Sequence, residues 1–247
     1  MAIAVDGSTP AGVSQTVNTT ATVATGSFTP PSGSVLIAAW QSNTQTGNTP
    51  GTPTIASSPS LTWTLINWRS MGDAGSGNGQ CAMWWALPTG AAMTATVTNG
   101  AVSGFREARL KCVVFTGVDT TSPIASSGEG NDSGGALDTL TYNTTVANSQ
   151  GIGTASDWDV ASTTFTAAAG TTISDSATPN GNINGATLLQ TTQTATVGAT
   201  ITLGLTSPTS TQWNYVWAEL RPSGGATSAL RPKLVIPVGA VIRASSW

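Results

Sequence analysis

Residues 212–220 have the sequence Gln-Trp-Asn-Tyr-Val-Trp-Ala-Glu-Leu. In an extended strand, residues two positions apart lie on the same face of the sheet. The aromatic face of this stretch then consists of Trp213, Tyr215 and Trp217, and the aliphatic face of Val216, Ala218 and Leu220. Because both faces are apolar, the stretch predicts a β-strand that other layers of the protein cover on both sides.

Short apolar or alternating stretches of this kind recur along the whole chain. They predict strands at Ala2–Asp6, Ser14–Thr25, Val35–Gln41, Leu61–Ser70, Gln80–Leu87, Met93–Thr98, Arg109–Val118, Leu137–Val146, Thr171–Ser176, Ala186–Gln193, Ala199–Thr206 and Gln212–Leu220. The stretches are separated by turn clusters such as Pro30–Gly33, Gly72–Gly79 and Asn131–Gly135. No window of a dozen residues has helical periodicity free of Gly, Pro or β-branched runs. The pattern predicts an all-β protein, an antiparallel sandwich or jelly roll with ten or more strands in two packed sheets.

The composition excludes most hydrolase chemistry. The 247 residues contain no histidine, which removes Ser-His-Asp and Cys-His catalytic arrangements and every zinc site that uses histidine. Only 8% of the residues are charged, while 27 are Ser and 43 are Thr. Nine tryptophans and 39% hydrophobic residues are more than an unfolded chain carries. We therefore expect a folded, non-enzymatic protein with no catalytic residue, no cofactor and no metal.

The N-terminal sequence predicts synthesis in the cytoplasm. Residues 1–12 include neither a basic region nor an apolar run of useful length, so no signal peptide and no membrane span are expected. The glycine-rich stretch Gly75–Gly79 lacks the Lys and Ser/Thr of a phosphate-binding loop. With a net charge of -3, we expect no nucleic-acid partner.

The C-terminal residues differ in composition from the rest of the chain. Residues 1–222 carry five basic and eleven acidic groups, whereas residues 223–247 carry three basic and no acidic groups. A Gly/Ser-rich linker at Pro222–Ser228 precedes the apolar run Leu234–Ile242, which is too short to span a bilayer. We predict a β-sandwich domain at residues 1–222 and a linker with a short extended docking arm at residues 223–247. The candidate docking residues are Arg231, Lys233, Leu234, Val235, Ile236, Val238, Val241, Ile242, Arg243 and Trp247.

Asp157, Trp158 and Asp159 form the one candidate ligand site in the predicted sandwich. On a strand, the two carboxylates would share one face with an aromatic ring between them, which suits a glycan contact or a paired-acid glycosidase site. The alternative is a loop with solvated acids and a capping Trp. We favour no catalytic role.

Two other features of the sequence have a structural and a functional interpretation. Asn131–Gly135 and Gly72–Gly75 are rich in oxygen donors, yet neither provides the ligands of a recognisable calcium loop. Cys81 and Cys112 lie in apolar strands and would pair only if those strands are neighbours. Two buried free thiols are favoured because the chain is made in a reducing compartment.

The order of motifs in residues 1–222 resembles a known family. The motifs are the stretches at 28–37 (FTPPSGSVLI), 61–65 (LTWTL), 83–86 (MWWA), 113–124 (VVFTGVDTTSPI) and 213–222 (WNYVWAELRP). They are similar to the jelly-roll, concanavalin-A-like domains of minor tail and other virion proteins of phages that infect actinobacteria, which also occur in some bacterial surface proteins. The resemblance implies a jelly-roll fold and a virion setting, and it assigns no catalytic residue.

Two functions from different classes follow from the resemblance and the composition. The first is a phage virion structural protein, either a minor tail protein or a head-surface decoration, with its β body displayed outward and its arm docked to the particle. Its partners would be other capsid or tail proteins, further copies of itself and, at the β body, host-surface glycans. The alternative is a stand-alone carbohydrate-binding module of a cell-wall or surface protein, which would need an exposed Trp or Tyr platform.

Overall fold

All regular secondary structure of the described residues is β-strand, in a computed structural model of the chain. The structure describes residues 1–16, 22–44, 51–72, 78–100, 105–135, 137, 140–157, 164–177, 184–209 and 211–224. Every strand pairing in these ranges is antiparallel. The prediction of an all-β antiparallel fold is confirmed.

The described strands divide between the two halves of the chain. The N-terminal half contains β1 (Ala4–Val5), β2 (Val13–Thr16), β3 (Thr22–Ala24), β4 (Val35–Thr44), β5 (Thr54–Ser58), β6 (Thr64–Gly72), β7 (Asn78–Ala86), β8 (Thr94–Thr98) and β9 (Phe105–Thr116). The C-terminal half contains β10 (Ile124–Gly135), β11 (Thr141–Asn143), β12 (Gln150–Asp157), β13 (Thr166–Ala167), β14 (Thr171–Ala177), β15 (Asn184–Gln190), β16 (Thr200–Thr202), β17 (Leu205–Ser207) and β18 (Thr211–Leu220).

Two larger sheets pack face to face at the centre of the molecule. The N-terminal sheet has the strand order β1-β9-β4-β7-β6, and β2 pairs with β9 beside β1. The C-terminal sheet has the order β10-β18-β12-β15-β14. Ile37 and Val113 of the first sheet and Ile152 and Ala218 of the second meet in one buried cluster, which we call the central core. The two sheets therefore share one apolar interface.

Smaller sheets cover the outer faces of the two larger ones. The sheet β3-β8-β5 packs on the N-terminal sheet, and the pairs β11-β16 and β13-β17 pack on the C-terminal sheet. Each outer cluster contains a fully buried tryptophan, Trp40 on the N-terminal side and Trp213 on the C-terminal side. Large aromatic side chains provide much of the buried area in layers otherwise built from Ala, Val and Leu.

The two halves have the same strand pairing. In the N-terminal half β9 pairs with β1 and β4, β4 with β7, β7 with β6, and β8 with both β3 and β5. In the C-terminal half β18 pairs with β10 and β12, β12 with β15, and β15 with β14, while β16 and β17 take the place of β8 and pair with β11 and β13. The described residues therefore form two halves with the same strand pairing, an internal structural repeat, and the larger sheets of the two halves pack on each other.

The register of the pairings identifies equivalent residues in the two halves. Ile37 of β4 lies opposite Val113, and Ile152 of β12 lies opposite Ala218, and all four belong to the central core. The halves correspond in burial pattern, although different residues occupy most equivalent positions.

Several sequence predictions agree with this arrangement. In β18, Trp213, Tyr215 and Trp217 face the outer cluster of the C-terminal half, and Val216, Ala218 and Leu220 face the central core. Cys81 and Cys112 are buried free thiols, as favoured. They belong to clusters on opposite faces of the N-terminal sheet, which explains why no disulfide joins them. Burial raises the pKa of Cys112 to about 12.

Other predictions are wrong. Asn131–Gly135 is the end of strand β10 and not a turn cluster or loop. The strand predicted at Leu61–Ser70 begins only at Thr64, and Leu65 in it is 44% exposed. The sequence pattern also missed β10 and the central strand β12, whose residues Gln150–Asp157 are mainly Gly, Ser, Thr and Ala. Strand β12 is buried along its whole length because the N-terminal sheet packs on one of its faces and the small pairs β11-β16 and β13-β17 cover the other.

The predicted docking residues, Arg231 to Trp247, lie outside the described residues. The described part of the chain contains no helix long and apolar enough to cross a bilayer.

Candidate functional site

The two ends of the described chain lie side by side. The amino group of Met1 donates a hydrogen bond to the carbonyl oxygen of Ser223 at 2.9 Å. The backbone N–H of Ser223 in turn donates to the carbonyl oxygen of Gly117 at 2.7 Å. Gly117 has φ +74°, and a Cβ at this position would meet the backbone of Ala2. The last described residues therefore lie beside the first ones, at one edge of the β body.

A groove of about 510 Å³ opens at this edge between β1 and the end of β15. We call it the β1 groove. Its lining residues are Ala2, Ile3, Ala4, Val5, Phe115, Gln150, Thr172, Leu189, Gln190, Thr191, Thr192 and Gln193. None of these side chains is ionisable, so the groove suits an apolar or amide-rich ligand more than a charged one.

Amides hold the two walls of the β1 groove in place. The side-chain amide of Gln193 donates to the carbonyl oxygen of Ile3, which ties the turn after β15 to the segment before β1. The side-chain oxygen of Gln190 accepts from the backbone N–H of Gly151 at 2.9 Å. Both amides are engaged within the protein, and Ile3 and Leu189 are buried, so the exposed apolar side chains at the groove are those of Ala2, Ala4 and Val5.

A smaller hollow lies between the β1 groove and the last described residues. It has a volume of about 290 Å³ and is lined by Met1, Ala2, Asn148, Gln193 and Pro222–Gly224. Ala2 and Gln193 line both cavities. Gly224, the last described residue, therefore adjoins the groove.

An acidic side chain lies next to the β1 groove. Asp6 follows Val5 in the chain, and its Oδ1 accepts hydrogen bonds from the side-chain hydroxyl and the backbone N–H of Ser8 at 2.6 and 2.9 Å. These two hydrogen bonds lower the pKa of Asp6 below its usual range. A carboxylate at this edge is complementary in charge to the basic residues 223–247.

Glu219 fixes the neighbouring loop. Its buried carboxylate accepts hydrogen bonds from the backbone N–H and the hydroxyl of Thr145 at 3.0 and 2.7 Å, and from the hydroxyl of Ser126 at 2.8 Å. Burial raises the pKa of Glu219, but the hydrogen bonds from Thr145 and Ser126 outweigh it, and the net shift is downward. The anionic form therefore holds the start of β10 and the loop after β11 against β18.

The structure places the predicted glycan residues only in part. Asp157 is the last residue of β12 and is 1% exposed, in contrast to a solvated loop acid. Trp158 and Asp159 lie outside the described residues, so the glycan contact stays a prediction.

Nothing among the described residues assembles a metal centre. No group of three or more Cys, Asp and Glu side chains there is arranged to hold a metal ion. Within the stretch Asn131–Gly135, the side-chain oxygen of Asn131 accepts a hydrogen bond from Arg69 at 2.7 Å. Arg69 also pairs with Glu129 at 3.2 Å.

Comparisons with known proteins give no relative for this chain. No family model, no curated protein and no solved structure matches it. The β1 groove was not identified from the sequence, because its Ala, Val, Thr and Gln side chains are common throughout the chain.

Proposed function

We propose that this protein is a non-enzymatic structural protein of a phage virion, made in the host cytoplasm. It would be a minor tail protein or a head-surface decoration that displays its β body outward and docks through residues 223–247. The observation that carries the proposal is the edge at which the chain leaves the body. A basic, apolar terminal segment starts there beside an open apolar groove and an acidic side chain.

The strand pairing supports the jelly-roll part of the proposal. In a jelly roll the chain folds as a doubled-over hairpin, so that early strands pair with late ones in nested order. The pairs β1–β9, β3–β8 and β4–β7 are nested in this way, and so are β10–β18, β11–β16 and β12–β15. We infer that the body consists of two jelly-roll units in tandem.

The proposal of a non-enzymatic role has support from two of the described acids and from the lining of the β1 groove. Glu107 and Asp157 are 0% and 1% exposed, so neither carboxylate faces a solvent cleft. The β1 groove contains no acid, base or nucleophilic thiol among its lining residues. General acid–base chemistry needs an ionisable side chain within hydrogen-bond reach of the substrate.

The alternative function, a stand-alone carbohydrate-binding module, has less support. Such a module presents an open Trp or Tyr ring to a sugar. Among the described residues, every Trp and Tyr is buried or half-buried. Tyr142 and Trp217 stack on each other with ring centroids 4.4 Å apart, which covers one face of each ring.

Particle labelling tests the proposed function. Antibodies against the β body should decorate purified phage particles in negative-stain images, at the tail tip or on the head surface. A chain ending after Gly224 keeps every described contact and is expected to fold but to be missing from particles. Particles that carry the truncated chain at normal copy number would show that residues 225–247 are not the docking arm. Particles with no label on the full chain would overturn the virion role.

A further inference from the structure

The register of the strands matches the two halves residue by residue. Ile37 of β4 corresponds to Ile152 of β12, because both lie on the middle strand of their sheet and face the central core. Two backbone irregularities support this match. β6 and β14 each have a β-bulge, opposite corresponding residues of β7 and β15. Gly33 and Asn148, which precede β4 and β12 with φ values of +79° and +58°, also correspond.

The two halves pack on each other around an approximate two-fold axis. β12 packs on β7, and correspondingly β4 packs on β15. Gln41 of β4 lies against Gly185 of β15. Their counterparts are Ser156 of β12 and Cys81 of β7, and the Cys81 thiol is hydrogen-bonded to the backbone of Ser156. An interface of this symmetry could in principle also join two identical halves.

The buried side chain of Gln41 fits features of the C-terminal half. Its Nε2 donates hydrogen bonds to the hydroxyl oxygens of Thr154 and Thr187 at 2.7 and 3.1 Å. Gly185 leaves room for the amide, since a Cβ at this position would lie 2.5 Å from the Oε1 of Gln41. The C-terminal half thus provides two hydroxyl groups and a position without a side chain where Gln41 enters.

A second N-terminal half would provide none of these features to Gln41. The residues that correspond to Thr154, Thr187 and Gly185 are Ala39, Met83 and Cys81. In a pair of two N-terminal halves, the amide would meet a methyl group and a thioether in place of the hydroxyls. It would also meet a side chain where Gly185 has none. An amide that is buried without a hydrogen-bond partner destabilises such a pair.

The ion pairs at the edges of the interface show the same division. In both pairs the guanidinium group belongs to the N-terminal half and the carboxylate to the C-terminal half. The residue of the N-terminal half that corresponds to Asp175 is Asn67, and the residue of the C-terminal half that corresponds to Arg109 is Asn214. Two like halves would therefore bury Arg109 or Asp175 without its counter-charge, which is strongly unfavourable.

We propose that the central interface pairs an N-terminal half only with a C-terminal half, and that Gln41, Arg109 and Asp175 determine this choice. The apolar core attracts without discriminating, because apolar burial is non-directional. Discrimination comes from polar groups that would lose their partners in the wrong pair. The surface that fits the N-terminal half is a sheet with two hydroxyls and a glycine facing Gln41 and a carboxylate facing Arg109. This specificity does not depend on the virion role.

The first test uses the complete protein, cleaved once. A protease site inserted in the exposed turn at residues 120–122 allows the folded chain to be cut between its halves. The cleaved protein is unfolded in urea, refolded at micromolar concentration and analysed by native mass spectrometry. Mixed pairs and the two kinds of like pair differ in mass. We expect mixed pairs to exceed the proportion of random mixing by at least about a hundredfold.

A cleaved triple variant tests the three residues that are proposed to discriminate. It carries Gln41→Ala, Arg109→Asn and Asp175→Asn, so that like pairs no longer bury an unpaired amide or charge. The excess of mixed pairs should fall by at least about tenfold, or about 1.4 kcal/mol. The control carries Arg69→Asn and Glu129→Gln, at the ion pair that is about one-third exposed. Its excess should stay within about threefold of the unmodified protein.

The uncleaved chain provides a second measurement. Gly185→Ala adds the Cβ that displaces Gln41 from its two threonines. We expect the ratio of folded to unfolded protein in urea titrations to fall by at least about tenfold. Gly26→Ala is the control, because a Cβ there meets no atom within 4 Å. In a chain that already carries Gln41→Ala, the loss caused by Gly185→Ala should be much smaller.

Three results would overturn the inference. They are cleaved halves that pair at random, a triple variant that keeps the full excess of mixed pairs, and a Gly185→Ala chain as stable as Gly26→Ala. Halves that stay apart after refolding would also overturn it, because the interface would then need the covalent connection to form.

Discussion

Two tryptophans show how burial decides the effect of a single residue. Trp40 is 0% exposed in the outer cluster of the N-terminal half, whereas Trp63 is only partly buried against that cluster. We expect Trp40→Ala to lower the free energy of unfolding by about 3–5 kcal/mol, because the emptied space cannot collapse. Trp63→Ala is the matched control, with an expected loss of about 2 kcal/mol or less. Urea denaturation measures both. Equal losses would contradict the assignment of Trp40 to the closed core.

The carboxylate of Glu219 makes stability depend on pH. Its folded-state pKa lies below the usual 4.5, so the contribution to stability is complete above that value and is lost as the pH falls through the folded pKa. Glu219→Gln should lower the free energy of unfolding by about 1.5–3 kcal/mol at pH 7, the range for hydrogen bonds to charged groups. The difference between the two proteins should narrow below pH 4. Urea titrations at pH 7 and pH 3.5 test this, and a constant difference would contradict the assigned charge.

Two ion pairs join strands of the N-terminal sheet to strands of the C-terminal sheet, at the edges of the central interface. Arg109 of β9 makes a bidentate pair with Asp175 of β14, with both N–O distances 2.6 Å and both side chains 12% exposed. Arg69 of β6 and Glu129 of β10 are 3.2 Å apart and 30% and 31% exposed. Because the first pair is desolvated, Arg109→Ala should destabilise by about 3 kcal/mol. Arg69→Ala should cost about 1 kcal/mol or less.

A double-mutant cycle separates the Arg109–Asp175 interaction from the loss of each side chain. Asp175→Ala in the Arg109→Ala background should cost much less than in the unmodified protein, since the carboxylate has already lost its partner. Independent, additive losses would mean that the pair does not join β9 to β14.

Strands that follow a period of two in apolar residues were predictable, and strands built from small polar residues were not. β18 was predicted with the correct faces because Trp and Tyr alternate with Val, Ala and Leu. β12 was missed because its small residues carry no apolar signal, although they fit where sheets approach closely. A Cβ on Gly153, for example, would meet Leu140 at 3.0 Å. β10 was missed because Gly and acidic residues predict a turn.

The sequence alone does not reveal the internal repeat of the molecule, because the two halves share the order of strand pairing but not the residues at equivalent positions. Trp85 and Leu189, for example, are equivalent in register but differ in size. The candidate site could not be predicted because its lining residues come from segments far apart in the chain, from Ala2 to Gln193. The charge and the apolar run of residues 223–247 follow from the sequence, and the structure adds that Ser223 lies beside Met1 at one edge of the body.

The two halves should unfold as one unit, because each covers the central core of the other. Ile37, Val113 and Phe115 would be exposed in an isolated N-terminal half, and Ile152 and Ala218 in an isolated C-terminal half. Calorimetry of the full chain should show a single transition with equal calorimetric and van't Hoff enthalpies. The equivalent substitutions Ile37→Ala and Ile152→Ala should each destabilise by about 2–5 kcal/mol and keep the single transition. If either variant splits the transition in two, the halves are separate folding units that only touch, and the shared core does not hold them together.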